Sequence, residues 1–299
     1  MRVLLTGSSG LIGRALLAFL TANGHKVVGL TRSKTASRSQ QISWDPDAGI
    51  IQTDDLEDFD AVVHLAGETI MGRWTPAKKT RILESRVKGT QLLCESLAHL
   101  RRRPIVLVSA SAIGYYGSRG DKVLDEGSSA GSLFLSEVAK AWEAATEPAR
   151  CHGIRVVNLR IGFVLSKEGG GPAAMLLPFR LGVGGCVGNG RQYLSWVAID
   201  DVVGAVSYAI LSDTLHGPVN AVAPRPVTNR EFTTTLGSVL RRPTIFPLPA
   251  FALHMIMGEM ADNLLLSSTR VQPARLLANG YEFQFPELKG ALQHVLGKG

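Results

Sequence analysis

The N-terminal stretch constrains this chain more than any other part of it. An apolar run, Val3-Leu4-Leu5, passes through Gly7-Ser8-Ser9-Gly10-Leu11-Ile12-Gly13 into an amphipathic run over 11–20, and a second apolar strand follows over 26–30. A strand that turns through glycines into a helix gathers free backbone N–H groups and the positive helix end at one point, which suits a pyrophosphate. Gly7 permits the tight turn, Gly10 lets a phosphate approach with no Cβ in the way, and Gly13 lets the helix pack closely on the strand. The spacing is G-x-x-G-x-x-G rather than the commoner G-x-G-x-x-G, so a purely structural turn is the alternative. The strand before the motif and the helix after it favour a dinucleotide site.

The end of the second strand bears on which dinucleotide. An NAD site usually places an Asp or Glu there to accept hydrogen bonds from the ribose 2'-OH. This chain reads Thr31-Arg32-Ser33-Lys34. No carboxylate is present to repel a 2'-phosphate, and a planar guanidinium suited to that phosphate is. The predicted cofactor is NADP(H), contacted by Gly7, Ser8, Ser9, Gly10, Leu11, Ile12, Gly13, Thr31, Arg32 and Ser33. Arg38 is either a second clamp or solvated, and a solvated Arg32 and Lys34 remains the plainer alternative.

Strand-like runs recur at 3–6, 26–30, 41–43, 61–65, 105–109 and 155–160, with helical runs at 11–22, 77–100 and 133–146 between them. Strands apolar on both sides, alternating with helices, predict an α/β fold of Rossmann type, a doubly wound parallel sheet covered on both faces. After Leu165 the texture changes. The glycine-rich stretches 169–172 and 182–190 are expected to be loops, a strand, a helix and a strand return over 195–222, and prolines at 224, 226, 243, 247, 249 and 273 break the rest. The expected division is a Rossmann domain over 1–165 to which 196–222 returns, and a smaller, loop-rich C-terminal substrate or lid domain over 223–299.

Composition narrows the function classes. The chain has 299 residues, 45% of them hydrophobic, and a net charge of +7, which describes an ordinary globular protein with a sizeable core. Its densest basic run, Arg101-Arg102-Arg103, precedes a strand and suits a helix C-terminus, without the interleaved aromatics a nucleic-acid surface needs. Cys94, Cys151 and Cys186 show no metal-ligand spacing, and His64 at a strand end has no partner at such spacing, so no metal is predicted. No apolar run reaches the ~18 residues of a membrane span. The expected compartment is reducing: the cytoplasm, or an organelle stroma or matrix if a transit peptide has been removed.

Gly7 to Gly13, His64-Leu65-Ala66-Gly67 at a strand end, and Ser109 to Gly117 after another together resemble the extended short-chain dehydrogenase/reductases. A closer likeness is to an atypical branch, the epimerase-family proteins, which carry their own C-terminal domain. It rests on Ala66-Gly67-Glu68 with Arg73-Trp74-Thr75, Ser85-Arg86, Ser111-Ala112-Ile113-Gly114-Tyr115-Tyr116-Gly117, Trp142-Glu143, Leu177-Pro178-Phe179-Arg180 and Gly188-Asn189-Gly190-Arg191-Gln192. It extends to Pro247-Leu248-Pro249 and Gly280-Tyr281. The resemblance implies that Leu65, Ala66, Gly67, Glu68, Arg86 and Ser109 also lie at the cofactor.

The resemblance further implies a Tyr and a Lys four apart on one helix, with a Ser on the preceding strand end. The Tyr would exchange a proton with the substrate oxygen, while the Lys lowers its pKa and holds the nicotinamide ribose. Aligned on Glu143, those two positions are Leu135 and Ala139. A one-residue shift gives Ser136 and Lys140, but an alcohol cannot replace a phenol as an acid near neutral pH. The Asn that extended members place before a Gly-Thr pair is Arg86.

Ser111, Tyr115 and Tyr116 are the remaining candidates for acid–base work, with packing as the alternative for the tyrosines. Glu68, Arg73, Arg86 and Arg191 are candidates to face an anionic substrate, or else form a salt-bridged cluster. Asp201 is expected to cap a helix N-terminus. Two functions follow: an NADP(H)-dependent oxidoreductase or nucleotide-sugar epimerase with a rearranged acid–base set, or a non-catalytic NADP(H)-binding regulatory or division-related protein. Oligomeric state is not legible.

Overall fold

The computed structural model describes residues 1–32 and 41–298, so Ser33, Lys34 and Arg38 lie outside the described residues. Runs of Val, Leu and Ile with no polar face can only be satisfied between two covering layers, and the central strands show this. β1 (Arg2–Thr6), β5 (Ala61–His64), β6 (Val106–Ala112) and β7 (Arg155–Ile161) bury nearly every side chain. They join β2 (Lys26–Thr31), β3 (Gln41–Asp45), β4 (Ile50–Ile51) and β8 (Gly217–Ala221) in an eight-stranded sheet of order 8-7-6-5-1-2-3-4. All its pairings are parallel except β3 with β4.

Helices α1 (Leu11–Ala22) and α4 (Ile199–Leu211) cover one face through Leu16, Leu20, Val206 and Ile210, while α2 (Pro76–Ala98) covers the other through Leu93, Cys94 and Leu97. Strand order reverses between β1 and β5. That is the switch point at which such sheets open a crevice at their carboxyl ends.

One hydrogen-bond chain fixes that crevice. The Thr6 hydroxyl accepts from the backbone N–H of Leu65 (3.0 Å) and Ala66 (3.1 Å), which occupies its lone pairs and leaves its own proton for His64 Nδ1 at 2.8 Å. His64 Nε2 must then carry the ring proton and donates to Thr90 Oγ1 at 2.9 Å. The fully buried imidazole thereby ties β1, β5 and α2 together in its neutral form.

Helix α3 (Phe134–Ala144) follows β6, and the short strand Phe163–Leu165 pairs in parallel with Trp196–Ala198. The stretch from Gly169, expected to be loop, instead begins a helix, Gly170–Arg180. Its buried Leu176 and Phe179 join Leu165, Trp196 and Phe232 in a second core, and that packing overrides the glycines and Pro178. Asp201 does not cap α4 either. Its carboxylate accepts from the backbone N–H of Gln284 (2.7 Å) and Phe285 (3.0 Å), a tertiary tie between segments far apart in sequence. After Ala223 the chain does not stay in one body: Leu276 and Tyr281 return to the main core. Among the described residues no helix is long and apolar enough to cross a membrane.

Burial pushes the His64 imidazole down from 6.5 to about 4. Between those values the unfolded chain binds the extra proton, so stability falls as pH falls through that window, by up to about 3 kcal/mol. Urea unfolding from pH 7 to pH 4.5 is expected to show this loss, and His64→Gln to flatten it. A native-state His64 titration by NMR near 6.5 would contradict the assignment.

Candidate functional site

Two cavities meet at the glycine turn. The smaller, about 300 Å³, lies between Gly7–Gly10, the end of β2 at Thr31 and Arg32, and the strand-end residues Leu65 to Glu68, with Trp44, Pro46 and Arg81 on its rim. The larger, about 450 Å³, continues from Gly7 and Gly10–Gly13 past Arg86 and Ser111 to α3 and the C-terminal segment.

The glycines are required by this geometry. Gly7 sits at φ +68°, and a Cβ on it would stand 2.8 Å from the Leu65 backbone; one on Gly13 would stand 2.1 Å from the Gly7 carbonyl oxygen. Gly10 differs. A Cβ there would meet only the Gly7 oxygen, at 3.3 Å, so its open side belongs to both cavities. α1 starts with no side-chain cap and no acidic residue in its first turn, leaving the N–H groups of Leu11, Ile12 and Gly13 without an intrahelical acceptor. Bare backbone, orphan donors and the helix dipole fit a pyrophosphate laid across Gly10.

The acid–base candidates do not gather around one ligand. Ser111 lines the larger cavity but donates its proton to Glu143 Oε1 at 2.7 Å. Glu143 is held by Arg160 through two hydrogen bonds of 2.8 Å. Arg160 Nη1 donates to the Tyr116 hydroxyl (2.9 Å), and Tyr116 donates to Asn220 Oδ1 (2.8 Å). Tyr116 is fully buried, its phenol pushed up to about 12 by burial. Tyr115 lies with its ring 3.4 Å beneath the Arg160 guanidinium. Neither tyrosine lines either cavity: the Arg160 network holds Tyr116 in the core and the half-buried Tyr115 ring against it. Ser109, expected at the cofactor, is one pleat deeper in the sheet, buried and lining neither cavity.

Helix α3 turns Leu135 and Trp142 to the larger cavity. Leu135 packs over Gly114, Ser136 donates to the Gly114 carbonyl at 2.8 Å, and Lys140 is exposed against Glu137. Of the residues proposed to face a substrate, only Arg86 lines the larger cavity. Its Nη1 donates to the carbonyls of Glu68 (2.9 Å) and Ile82 (3.0 Å), and burial lowers its pKa to about 10. Glu68 lines the smaller cavity, where its hydrogen bond to Lys78, 2.6 Å long, holds its carboxyl below the usual range. Arg191 opens on a separate cavity and Arg73 is exposed.

The far wall of the larger cavity was not legible in sequence. It comprises Phe163, Leu194, Ser195, Asn263, Leu264 and Thr269, brought in by segments that no local motif marks. Four of its polar side chains are already committed, Ser195 donating to the Thr269 carbonyl (2.8 Å), Asn263 to Glu259 (3.0 Å), Ser267 to Asn263 (3.0 Å) and Thr269 to Gly117 (3.0 Å), while Tyr193 also lines the cavity, its ring against the Arg270 guanidinium. What remains is an aliphatic and aromatic surface with Ile70, Ile113, Leu135 and Ile161 opposite.

A parallel sheet with a switch-point crevice and a glycine turn over an uncapped helix defines a Rossmann-type protein with a dinucleotide-shaped site. The chain belongs to the NAD-dependent epimerase/dehydratase family, whose model matches residues 3–221; a domain of unknown function matches residues 248–295. It is similar to an epimerase family protein of Mycobacterium leprae, 40% identical over 98% of this chain and 95% of the relative. Among solved structures, human epimerase family protein SDR39U1 (isoform 2) with NADPH matches with a TM-score of 0.90 at 36% identity, covering 99% of both chains. The nucleoside-diphosphate sugar epimerase from Corynebacterium glutamicum matches with a TM-score of 0.82 at 37% identity, covering 99% of this chain and 58% of that one.

Proposed function

We propose that this protein is an NADP(H)-dependent oxidoreductase acting on a small, mainly apolar carbonyl compound or the corresponding alcohol, without a phenol–lysine pair. The observation that carries the reading is the larger cavity itself: continuous with the glycine turn, aliphatic over most of its wall, its C-terminal polar side chains engaged with the protein. A nucleotide sugar brings a diphosphate and many hydroxyls, and leaving these unpaired in such a cavity is costly. Arg86 is the single basic side chain on that wall among the described residues. The space beyond the turn favours turnover over a purely regulatory role, which needs no second cavity.

Within this reading the turn Gly7–Gly13 holds the pyrophosphate and the Arg32 guanidinium, at the end of β2, the 2'-phosphate; human SDR39U1, solved with NADPH, supports that choice. When bound, the nicotinamide supplies or accepts a hydride. Ser111 orients the substrate oxygen. Its proton points to Glu143, so a relay is set: as the alcohol is oxidised, Ser111 Oγ takes the substrate O–H proton while passing its own to the Glu143 carboxylate, which the Arg160 pairing keeps in place, and carbonyl reduction returns a proton along the same path. Leu135 and the aliphatic wall exclude water from the hydride path.

Purified protein is expected to oxidise NADPH against apolar aldehydes and ketones and not against UDP-sugars, with Ser111→Ala lowering kcat roughly 10²-fold. Turnover confined to nucleotide sugars would overturn the substrate class, and no turnover across both panels would overturn the enzyme reading. Arg32→Asp is expected to reduce the preference for NADPH over NADH by about tenfold or more, since a charge-assisted hydrogen bond contributes about 1.5–3 kcal/mol. An unchanged ratio in equilibrium titrations would remove Arg32 as the 2'-phosphate clamp.

A further inference from the structure

One buried hydrogen-bond donor on the wall of the larger cavity has no acceptor among the described residues, and a half-buried guanidinium stands beside it. The indole Nε1–H of Trp142 is buried and has no partner among the described residues, although the side chain, 6% exposed, lines the cavity. Beside it, the Arg86 guanidinium lies 5.0 Å from the Trp142 ring centroid and lines the same cavity. Nη1 of Arg86 is engaged by the Glu68 and Ile82 carbonyls, which leaves Nη2 and Nε without acceptors among the described residues. An unpaired buried donor costs about 1–3 kcal/mol, so the indole N–H, with the half-buried guanidinium beside it in the cavity, points to acceptor oxygens supplied by a ligand.

Their position says which oxygens. Helical side chains lean toward the N-terminus, so Trp142 covers the turn of α3 that contains Ala139, whose methyl leaves that space open. The wall they share also carries Gly10, Leu11, Ile12 and Gly13, where the dinucleotide turn holds phosphate, and Ser111, where the substrate oxygen is placed. Neither Arg86 nor Trp142 lines the smaller cavity at Thr31 and Arg32. The pair therefore stands between the phosphate turn and the reacting end, on the nicotinamide side.

We propose that Arg86 and Trp142 bind the nicotinamide-side ribose of the dinucleotide, the guanidinium and the indole N–H donating to its vicinal hydroxyls, and so position the ring without a lysine on α3. The inference rests on the NADP(H) reading given above. Arg86 acts from α2 and Trp142 from α3. The cofactor thus bridges two helices that pack on the same face of the sheet, and its binding holds the cavity wall together.

The test separates the two halves of the cofactor. Affinities for NADPH and for adenosine 2',5'-bisphosphate, which lacks the nicotinamide ribose, are measured by calorimetry on the full chain and on Trp142→Phe and Arg86→Lys, with thermal melting as a check on folding. Trp142→Phe keeps the ring and deletes only the donor; Arg86→Lys keeps the charge and deletes the fork. Each is expected to weaken NADPH about tenfold and to leave adenosine 2',5'-bisphosphate within twofold of wild type. A general loosening of the fold would weaken both ligands. Unchanged NADPH affinity in the two variants, or equal loss for both ligands, overturns the proposal. Wild-type protein that binds neither ligand overturns the NADP(H) reading itself, and this inference with it.

Discussion

The ion pair between Glu143 and Arg160 is the interaction around which the half of the molecule bearing the larger cavity is arranged. Both side chains are withdrawn from water, and a buried guanidinium is tolerated only where its partners are fully supplied. Glu143 supplies two acceptor oxygens, the Tyr116 hydroxyl a third acceptor, and the Tyr115 ring a face. Each of those partners is then held in turn. Ser111 is fixed by Glu143, and Tyr116 by Asn220, whose backbone N–H donates to Glu126 and whose amide donates to the Gln272 carbonyl. A single charged pair thus links β6, α3, β7, β8 and the segment after Thr269.

That arrangement explains why Tyr116 is a poor candidate for proton transfer, while Tyr115, its ring held against Arg160, lines neither cavity. A phenol whose hydrogen bonds are both made inside the core, and whose pKa burial raises, cannot approach a substrate without breaking the network. The same network leaves Ser111 as the member that reaches the cavity. Opposite it, α3 presents carbon from Leu135 and a donor from Trp142, so the helix serves the cavity through shape and positioning.

The strand–helix alternation and the glycine turn were legible because they follow local rules: apolar strands need two covers, and Gly7 and Gly13 sit where a Cβ cannot. α1 is legible residue for residue and most strands of the main sheet to within one or two positions, but β6 runs three residues past its expected end and β4 has no counterpart in the sequence reading. What escaped was set by tertiary partners. Asp201 looks like a helix cap until Gln284 and Phe285 claim its carboxylate, and the stretch 169–172 looks like a loop until the helix it opens seats Phe179 against Trp196 and Phe232. The smaller cavity is lined by Trp44 and Pro46, which no spacing marks, and the far wall of the larger cavity comes from residues 193–195 and 263–269. Ser109 and Ser111, two apart on one strand, face the same way, and only depth in the sheet distinguishes the one at the cavity.

The proposed function requires the larger cavity to be the chamber for a nicotinamide ring and a small apolar substrate, reached through a turn that suits phosphate. A crystal structure of the protein with NADPH tests it most directly. It is expected to show the pyrophosphate across Gly10, the 2'-phosphate at Arg32, and the nicotinamide inside the larger cavity with C4 facing the space beside Ser111. A nicotinamide lying outside that cavity, or a cavity closed by its own aliphatic walls when the cofactor is bound, would contradict the account.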